Sequence, residues 1–359
     1  MPPSTAPAPA LDEARLEAFL GSVVGDVGGA ATVAMICLGE SLGLYEAMTG
    51  TGPLTADQLA TTADCNPRLV REWLDQQATA GYVEHDTVTD AYELPSEHAM
   101  VLAERTSPAF VAGGQWAIAS IFKDLERTID AFRGDGGVPW GDHHPCLFHG
   151  TAEFFRPSYE ANLTSSWIPA LDGVDERLRA GGHVADVGCG HGHSTVLIAA
   201  AYPAAEVVGF DPHAGSVEAA RDSAAARELT NVRFTATPAD GYDGRYDLIV
   251  FGDCLHDMGD PVGAARHARS RLTEIGTVMV VEPFALDDRS ANHGTLTAKL
   301  FYGASTGICT PSALSQPGGM ALGAQSGEAG MREVFDTAGF THFRRVAETP
   351  FNIVYEARP

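Results

Sequence analysis

The chain has 359 residues, of which 45% are hydrophobic, and this is enough material for two globular domains with buried cores. Its formal net charge of −24 at pH 7 argues against a nucleic-acid partner, because phosphate binding needs a basic surface. No run approaches the roughly 18 uninterrupted apolar residues of a membrane span. Six scattered cysteines without a C-x-x-C pair predict free thiols in a reducing compartment. The sequence therefore predicts a cytoplasmic protein without a membrane or nucleic-acid partner.

Composition and turn signals divide the chain into four predicted segments. Residues 1–10 are rich in proline, alanine and serine and uncharged, and are expected to form a disordered leader. Residues 11–106 are predicted to be a winged-helix-like domain, and 107–180 a helical linker that roofs a pocket. Residues 181–359 are predicted to be an α/β domain.

The order of predicted elements in the first domain is that of a winged helix. An apolar helix is predicted over Ala31–Met48. Thr55 and Gln58 stand at the spacing of a capping box, and Asn66 followed by a proline predicts the start of the next helix. Gly81 ends that helix, and two short β-like runs beyond it predict the wing.

The charge of this domain separates two possible roles of a winged helix, namely DNA binding and packing or homodimerisation. Between residues 31 and 103, eleven acidic residues stand against two basic ones, Arg68 and Arg71. A DNA reader would place this helix in the major groove, where Glu72 and Asp75 offset the arginines. We therefore expect a packing or homodimerisation module, with a DNA-reading regulator as the alternative.

A glycine-rich turn follows the first strand of the α/β domain. His183–Val187 is a short buried strand that runs into Gly188, Gly190 and Gly192 and then into an apolar helix. Such a turn between a parallel strand and a helix lets a ligand contact the backbone at the positive end of the helix. Taken alone, the pattern also fits a phosphate or dinucleotide site.

Two carboxylates narrow the choice of ligand. Asp186 lies at the strand end before the glycines, where it is a poor neighbour for a pyrophosphate but can order the turn and contact an amino-acid ammonium. Asp211 ends the next strand, nineteen residues past Gly192, and can accept both hydroxyls of a ribose. An ammonium and a ribose without phosphate favour S-adenosylmethionine over NAD as the cofactor.

The remaining strands define the fold class. Val232–Thr235, Tyr246–Phe251 and Thr277–Val281 keep the alternation with helices that a parallel sheet requires. Phe343–Ala347 and Phe351–Tyr355 have only a short connection, so they must pair as an antiparallel hairpin. We predict an α/β fold with a Rossmann-like parallel sheet, a C-terminal antiparallel hairpin and an N-terminal winged-helix-like α domain.

The run D-V-G-C-G-H-G at residues 186–192 resembles the first motif of class I S-adenosylmethionine-dependent methyltransferases. From about residue 50 to 359, the layout resembles the caffeate-type small-molecule O-methyltransferases and related actinobacterial proteins. The resemblance implies that the three glycines face the methionine part of the cofactor and that Asp211 binds its ribose. It also implies an acidic residue at the adenine, and the candidate, Asp240, stands later after the third strand than in the family.

The segment after the fourth strand carries the candidate catalytic residues. Gly252 and Asp253 directly follow the strand, where open α/β sheets bind ligands, and are expected at the cofactor. His256 can remove a proton from a hydroxyl as it attacks the sulfonium methyl, and Asp257 is placed to orient its ring. The run L-H-D-x-x-D resembles the catalytic segment of the caffeate-type enzymes, in which the histidine is the general base. A helix-capping or core histidine is the alternative.

Six further residues are expected around the acceptor. His149 lies in a segment that resembles one leading into the substrate pocket of the caffeate-type enzymes, and the aromatic members suit a flat or apolar acceptor. No metal is expected, but His293 is placed to approach His256, and the two with a carboxylate could hold iron or zinc. His143 is expected on the surface. The six are Trp116, His149, Trp167, Glu282, His293 and Phe301.

Together these features predict methyl transfer from S-adenosylmethionine to a small-molecule acceptor, with a hydroxyl and a histidine base as the leading interpretation. Methyl transfer is an in-line displacement that positioning alone can promote, so N- or C-methylation, with or without a metal, stays open. Two non-catalytic alternatives also stay open. One is a ligand-sensing regulator with a winged helix, and the other is a silent dimerising subunit.

Overall fold

The computed structural model describes residues 11–134 and 136–359. The predicted leader over 1–10 lies outside the described residues. Contacts between α-carbons divide the chain after Arg105 into two units, which are described separately below.

The first unit is a helical domain with a two-stranded wing. The predicted capping box is confirmed, since Thr55 Oγ1 accepts a hydrogen bond from Gln58 N and the Gln58 side chain accepts one from Thr55 N. Asn66 caps the helix after it by accepting hydrogen bonds from the amides of Arg68 and Leu69. The elements are α1 (Glu13–Ser41), α2 (Leu44–Met48), α3 (Ala56–Thr62), α4 (Pro67–Thr79), β1 (Glu84–Asp86), β2 (Ala91–Glu93) and α5 (Ser96–Leu102).

Helix α1 differs from the sequence prediction. It begins at Glu13 instead of Ala31, and a left-handed residue, Gly43 with φ of 65°, separates it from α2. Most of its apolar side chains are exposed, including Phe19. Among the described helices, α1 is long and apolar enough to cross a membrane by length and composition alone, a test that signal sequences and core helices also pass.

The second unit is an α/β domain. Its strands are β3 (His183–Val187), β4 (Glu206–Asp211), β5 (Val232–Ala236), β6 (Tyr246–Gly252), β7 (Leu272–Pro283), β8 (His342–Glu348) and β9 (Asn352–Arg358). Its helices are α6 (Gln115–Lys123), α7 (Leu125–Arg133), α8 (Cys146–Asn162), α9 (Val174–Arg179), α10 (His193–Ala201), α11 (Ala214–Ala226), α12 (Pro261–Arg271), α13 (Arg289–Asn292), α14 (Leu296–Ala304), α15 (Thr310–Leu314) and α16 (Gly327–Thr337). Short 3-10 turns cover Trp140–Asp142 and Leu255–Asp257, and π-helical turns cover Leu163–Trp167 and Ser305–Cys309.

The seven strands of this unit form one sheet in the order β5-β4-β3-β6-β7-β9-β8. The first five strands in this order pair in parallel, whereas β9 is antiparallel to both β7 and β8. The predicted fold class and its C-terminal hairpin are therefore confirmed. Because parallel strands share one carboxyl edge, the segments after β3, β4, β6 and β7 converge there, and ligands bind at such an edge.

Trp167 lies in the core of the second unit, away from the acceptor position predicted for it. It is 1% exposed and packs edge-on against Tyr159, with ring centroids 5.2 Å apart. The same cluster contains Leu248 and Met279 from the sheet. The large apolar indole fills the space beneath the sheet, which explains its burial.

We expect Trp167→Ala to lower the free energy of unfolding by about 3–5 kcal/mol, because the substitution leaves a large cavity beneath the sheet. Urea denaturation followed by circular dichroism measures this loss. Trp140→Ala removes a partly exposed indole from the same unit and is the matched control, for which a smaller loss is expected. Equal losses in the two variants would contradict the core assignment.

Candidate active site

A cavity of about 210 Å³ opens at the carboxyl edge of the sheet. Its walls include the glycine turn after β3, the end of β4 and the segment after β6. Three strand ends that are distant in sequence thus meet at one cavity. Six predicted cofactor or catalytic residues line it, namely Gly188, Gly190, Asp211, Gly252, Asp253 and Asp257.

The glycine turn requires glycine at two positions, for different reasons. Gly188 has a φ of 74°, and a Cβ there would lie 2.6 Å from the Cys254 sulfur. Gly192 has a φ of 77°, and a Cβ there would lie 2.7 Å from Ala220 and 2.9 Å from Phe234. Gly188 therefore keeps the cavity wall open. Gly192 lets the start of α10 pack closely against α11 and β5, and it does not belong to the cavity lining among the described residues.

Asp186 stabilises the glycine turn by hydrogen bonds to the helix that follows it. Its carboxylate accepts hydrogen bonds from Ser194 Oγ and Thr195 Oγ1, both at 2.6 Å, at the start of α10. The residue is 1% exposed, and burial raises its pKa. The described cavity lining does not include it, so Asp186 orders the turn by holding strand end and helix start together.

Asp211 faces the cavity and holds the same turn from the neighbouring strand. Its Oδ2 accepts a hydrogen bond from Gly190 N at 2.9 Å, and its Oδ1 accepts one from His213 N at 2.8 Å. Burial raises the pKa of this carboxyl group, and the two backbone donors lower it. Each carboxylate oxygen keeps a further lone pair, so a diol in the cavity has two acceptors available.

Asp253 occupies a strained backbone position at the cavity wall. Its φ of 48° lies in the left-handed region, which costs a non-glycine residue energy and often marks a functional site. The Tyr159 hydroxyl donates to Oδ2 at 2.7 Å, and Asn352 Nδ2 donates to Oδ1 at 2.9 Å. Burial raises the pKa of Asp253 well above its usual range. These contacts fix the carboxyl group where β6 ends.

His256 is held between two carboxylates beside the cavity. Its Nδ1 lies 2.5 Å from Glu282 Oε2, and its Nε2 lies 3.3 Å from Asp257 Oδ1. Burial lowers the pKa of the imidazole, but Asp257 and Glu282 outweigh burial and raise that pKa well above its usual range. His256 is 3% exposed and, in the described part of the chain, is not a lining residue, whereas Asp257 is. Asp257 therefore stands between the imidazole and the cavity.

The remaining predicted residues lie away from the cavity. Asp240, His149 and His293 are exposed, and Trp116 is partly exposed on α6. Phe301 is 4% exposed and belongs to a core cluster. Glu282 contacts His256 instead of the cavity. Among the described residues, the cavity lining thus omits Asp240 and all six predicted acceptor residues, namely Trp116, His149, Trp167, Glu282, His293 and Phe301.

The aromatic wall of the cavity is formed by residues that were not among the predicted site residues. Phe148, Phe155 and Tyr159 line it from α8, and Trp140 lines it from a 3-10 turn. The three α8 residues recur at seven and then four positions, a spacing that places them on one helix face, so this signal was present in the sequence. Trp140 lies on a 3-10 turn and Ser312 on the short helix α15, and no local sequence pattern predicts that either residue lines the cavity.

The surface prediction for His143 is wrong, because the residue is 3% exposed. Its Nδ1 lies 3.1 Å from Asp124 Oδ2, and its Nε2 lies 3.3 Å from Ser312 Oγ. The turn before it docks on the helix that carries Ser312, where Val138 N donates a 2.9 Å hydrogen bond to Pro311 O. This docking buries His143 and fixes the turn as part of the cavity wall.

Two family models match the chain. Residues 30–104 match the Rv2258c-like winged HTH domain, and residues 178–324 match a methyltransferase domain. Among curated relatives, trans-aconitate 2-methyltransferase of Paracidovorax citrulli is 41% identical over 59 residues, which are 16% of this chain and 23% of that protein. The chain also matches the ribosomal RNA small subunit methyltransferases C of Klebsiella pneumoniae, Erwinia tasmaniensis and Salmonella choleraesuis, and spans about half the length of each.

Solved structures match almost the full length. An O-methyltransferase assigned in Nostoc punctiforme is similar with a TM-score of 0.72 and 20% identity, covering 94% of this chain and 98% of that chain. Human N-acetylserotonin methyltransferase, solved with S-adenosylmethionine, is similar with a TM-score of 0.69 and 16% identity. The match covers 98% of this chain and 99% of that chain. These comparisons confirm the class I methyltransferase fold and the family resemblance predicted from the sequence.

We expect Asp211→Asn to lower the free energy of unfolding at neutral pH by about 1–3 kcal/mol, because the amide group cannot accept both backbone hydrogen bonds. Urea denaturation of the ligand-free protein measures this loss. Asp240→Asn makes the same chemical change at an exposed carboxylate and should leave the free energy unchanged. A loss of the same size in Asp240→Asn would contradict the bracing role of Asp211.

Proposed function

We propose that this S-adenosylmethionine-dependent methyltransferase transfers the methyl group to a small-molecule acceptor in the cavity at the sheet edge. The position of Asp211 and the glycine turn on the same cavity as Asp257 carries the proposal. Asp211 offers acceptors for the ribose hydroxyls, and the backbone at Gly188 and Gly190 offers a surface for the methionine part. Cofactor and acceptor would then meet beside Asp257.

The acceptor group is proposed to be a hydroxyl whose proton passes through Asp257 to His256. Asp257 lines the cavity, and its Oδ1 lies 3.3 Å from His256 Nε2. Glu282 holds Nδ1, which leaves Nε2 as the nitrogen that accepts the proton. Because the two carboxylates raise the pKa of the imidazole, the neutral form that can accept the proton gains population as the pH rises. His256 would act as the general base through Asp257, without lining the cavity itself.

The acceptor is proposed to be flat or largely apolar. Trp140, Phe148, Phe155 and Met258 supply aromatic and thioether surface around the polar floor of the cavity. Such side chains favour ring systems through stacking and area burial, while a few polar groups fix orientation. This assignment is to a chemical class of acceptor.

The first unit is proposed to serve packing and homodimerisation instead of DNA binding. Arg68 pairs with Glu72, and Arg71 pairs with Asp90 at 2.7 Å, so the basic side chains of α4 are neutralised. Helix α1 exposes a row of apolar side chains, including Phe19, that a second copy of the chain could cover. A homodimer without a nucleic-acid or membrane partner, located in the cytoplasm, remains the proposal that composition and charge favour.

We expect S-adenosylhomocysteine at about 100 times its Kd to raise the melting temperature by about 5–10 °C, because a ligand that binds only the folded state stabilises it. Differential scanning fluorimetry measures the shift. Asp211→Asn should lose most of the shift, and Asp240→Asn should keep it. No shift of the unmodified protein at saturating ligand would refute the proposed cofactor site.

We expect His256→Ala to lower turnover by about 10²- to 10⁴-fold while the melting shift with S-adenosylhomocysteine persists, because the proton acceptor is lost and the cofactor site is kept. Turnover is followed as S-adenosylhomocysteine released in the presence of host extract. His293→Ala, at an exposed histidine, is the matched control and should retain activity. Equal activity of the two variants would remove His256 from the mechanism.

A further inference from the structure

Three side chains with metal-binding atoms meet beside the cavity, and the proposed function does not use them as a set. We propose that His256, Asp257 and Cys309 form a binding site for Zn²⁺, and that occupation of this site inhibits methyl transfer. The binding part stands on geometry alone. The inhibitory part rests on the proposed function, because it requires His256 to be the proton acceptor.

The distances suit one small divalent ion. One ligand atom from each of His256, Asp257 and Cys309 lies within 4.8 Å of the other two. His256 Nε2 and Asp257 Oδ1 are 3.3 Å apart. Two ligands bound at about 2.0–2.1 Å in a tetrahedral arrangement lie about 3.3 Å apart, so this edge of the site is already at the required length. The two edges to Cys309 Sγ are at most 4.8 Å long, and side-chain rotation would bring the sulfur to its bonding distance of about 2.3 Å from the ion.

Two buried carboxylate oxygens beside the imidazole make no hydrogen bond of ordinary geometry. Asp257 Oδ1 is one of them, and it lies 3.3 Å from His256 Nε2, with which it forms an ion pair when the imidazole is protonated. Glu282 Oε1 is also buried without a partner. Buried carboxylate oxygens are normally paired or bound to a metal, because leaving them unpaired costs free energy. A divalent ion at Nε2 would satisfy Asp257 directly and would offset the negative charge around the imidazole.

Glu282 completes the arrangement as a support for the histidine ligand. Its Oε2 lies 2.5 Å from His256 Nδ1, so Nδ1 donates the hydrogen bond and Nε2 is the nitrogen that faces Asp257. A metal ion would displace the proton from Nε2 and bind the lone pair of the neutral imidazole. A carboxylate on the second nitrogen of a metal-binding histidine fixes the tautomer and raises the basicity of the ligand. The donor set is therefore one nitrogen, one oxygen and one sulfur with a supporting carboxylate.

The backbone around Cys309 explains how a residue so distant in sequence reaches the site. Cys309 ends the π-helical turn Ser305–Cys309, and π turns within helices are frequent at functional sites. The residue is 7% exposed. The sequence pointed instead to His293 as a partner of His256, but His293 is exposed and is not a member of the group that the described residues form.

The donor chemistry selects a class of metal. Burial raises the pKa of Cys309 to about 12, so the residue is a thiol that would release its proton on binding the metal. Nitrogen, carboxylate and the resulting thiolate together suit Zn²⁺, whereas Mg²⁺ prefers six oxygen ligands in an octahedron. Three protein ligands leave one position, and Asp257 lies where that position can open to the cavity. With Zn²⁺ on Nε2, the imidazole has no lone pair left for a proton from the acceptor. Bound zinc would therefore block the base and lower turnover.

The binding test uses the intact, metal-stripped protein and ZnCl₂ in competition with a chromophoric chelator. We expect one Zn²⁺ per chain, no competition by MgCl₂, and a loss of affinity of more than about 100-fold in Cys309→Ser, because a ligand of the metal is removed. Cys65→Ser makes the same change at a partly exposed cysteine of the first unit and should keep full affinity. Glu282→Gln should weaken binding by about 10- to 100-fold.

Melting curves of Cys309→Ser and Cys309→Ala show whether each variant is folded, and a folded variant with unchanged zinc affinity would overturn the site. The activity test measures the ratio of turnover with and without ZnCl₂ for each protein. We expect zinc to inhibit the unmodified protein and Cys65→Ser but not Cys309→Ser. Stoichiometric binding without inhibition would overturn the inhibitory part. If no variant shows turnover under any condition, the proposed function fails while the binding test still decides the zinc site.

Discussion

The turn after β3 and the segment after β6 approach so closely that Gly188 has no room for a side chain beside Cys254. Phe210 O accepts hydrogen bonds from the amides of Gly188 at 2.7 Å and Cys189 at 3.1 Å, which ties the same turn to β4. Three strand ends are thereby held together at one edge of the sheet. The cavity stays open because Gly188 has no side chain to fill it. Asp211 can therefore face the cavity from the end of β4.

The second constraint is the cost of burying charge. His256 sits between Asp257 and Glu282 in a nearly closed environment, and removal of one partner would leave a buried charge without its counter-charge. A buried ion pair adds little net stability, whereas a buried titratable group beside a cleft marks a candidate functional position. It also means that whatever occupies Nε2, a proton or a metal ion, sets the charge next to the cavity.

The parallel sheet and the cofactor half could be predicted because their signals are local. Glycines and carboxylates at the ends of parallel strands must share one edge of the sheet, and Asp211 and Asp253, predicted on this ground, both line the cavity. The acceptor side could not be predicted in this way. Trp167 and Phe301 were chosen for aromatic character, which does not separate a core residue from a pocket residue. Cys309 reaches His256 only through a long-range contact that no spacing in the sequence reveals.

Transfer of a labelled methyl group tests the central claim most directly. The protein is incubated with S-adenosylmethionine carrying a trideuterated methyl group and with an extract of its host, and the small molecules are compared by mass spectrometry. The account predicts a small-molecule product that carries one trideuteromethyl group with the unmodified protein and is lost with Asp211→Asn. It would be contradicted if no small molecule acquired the label while the cofactor was bound.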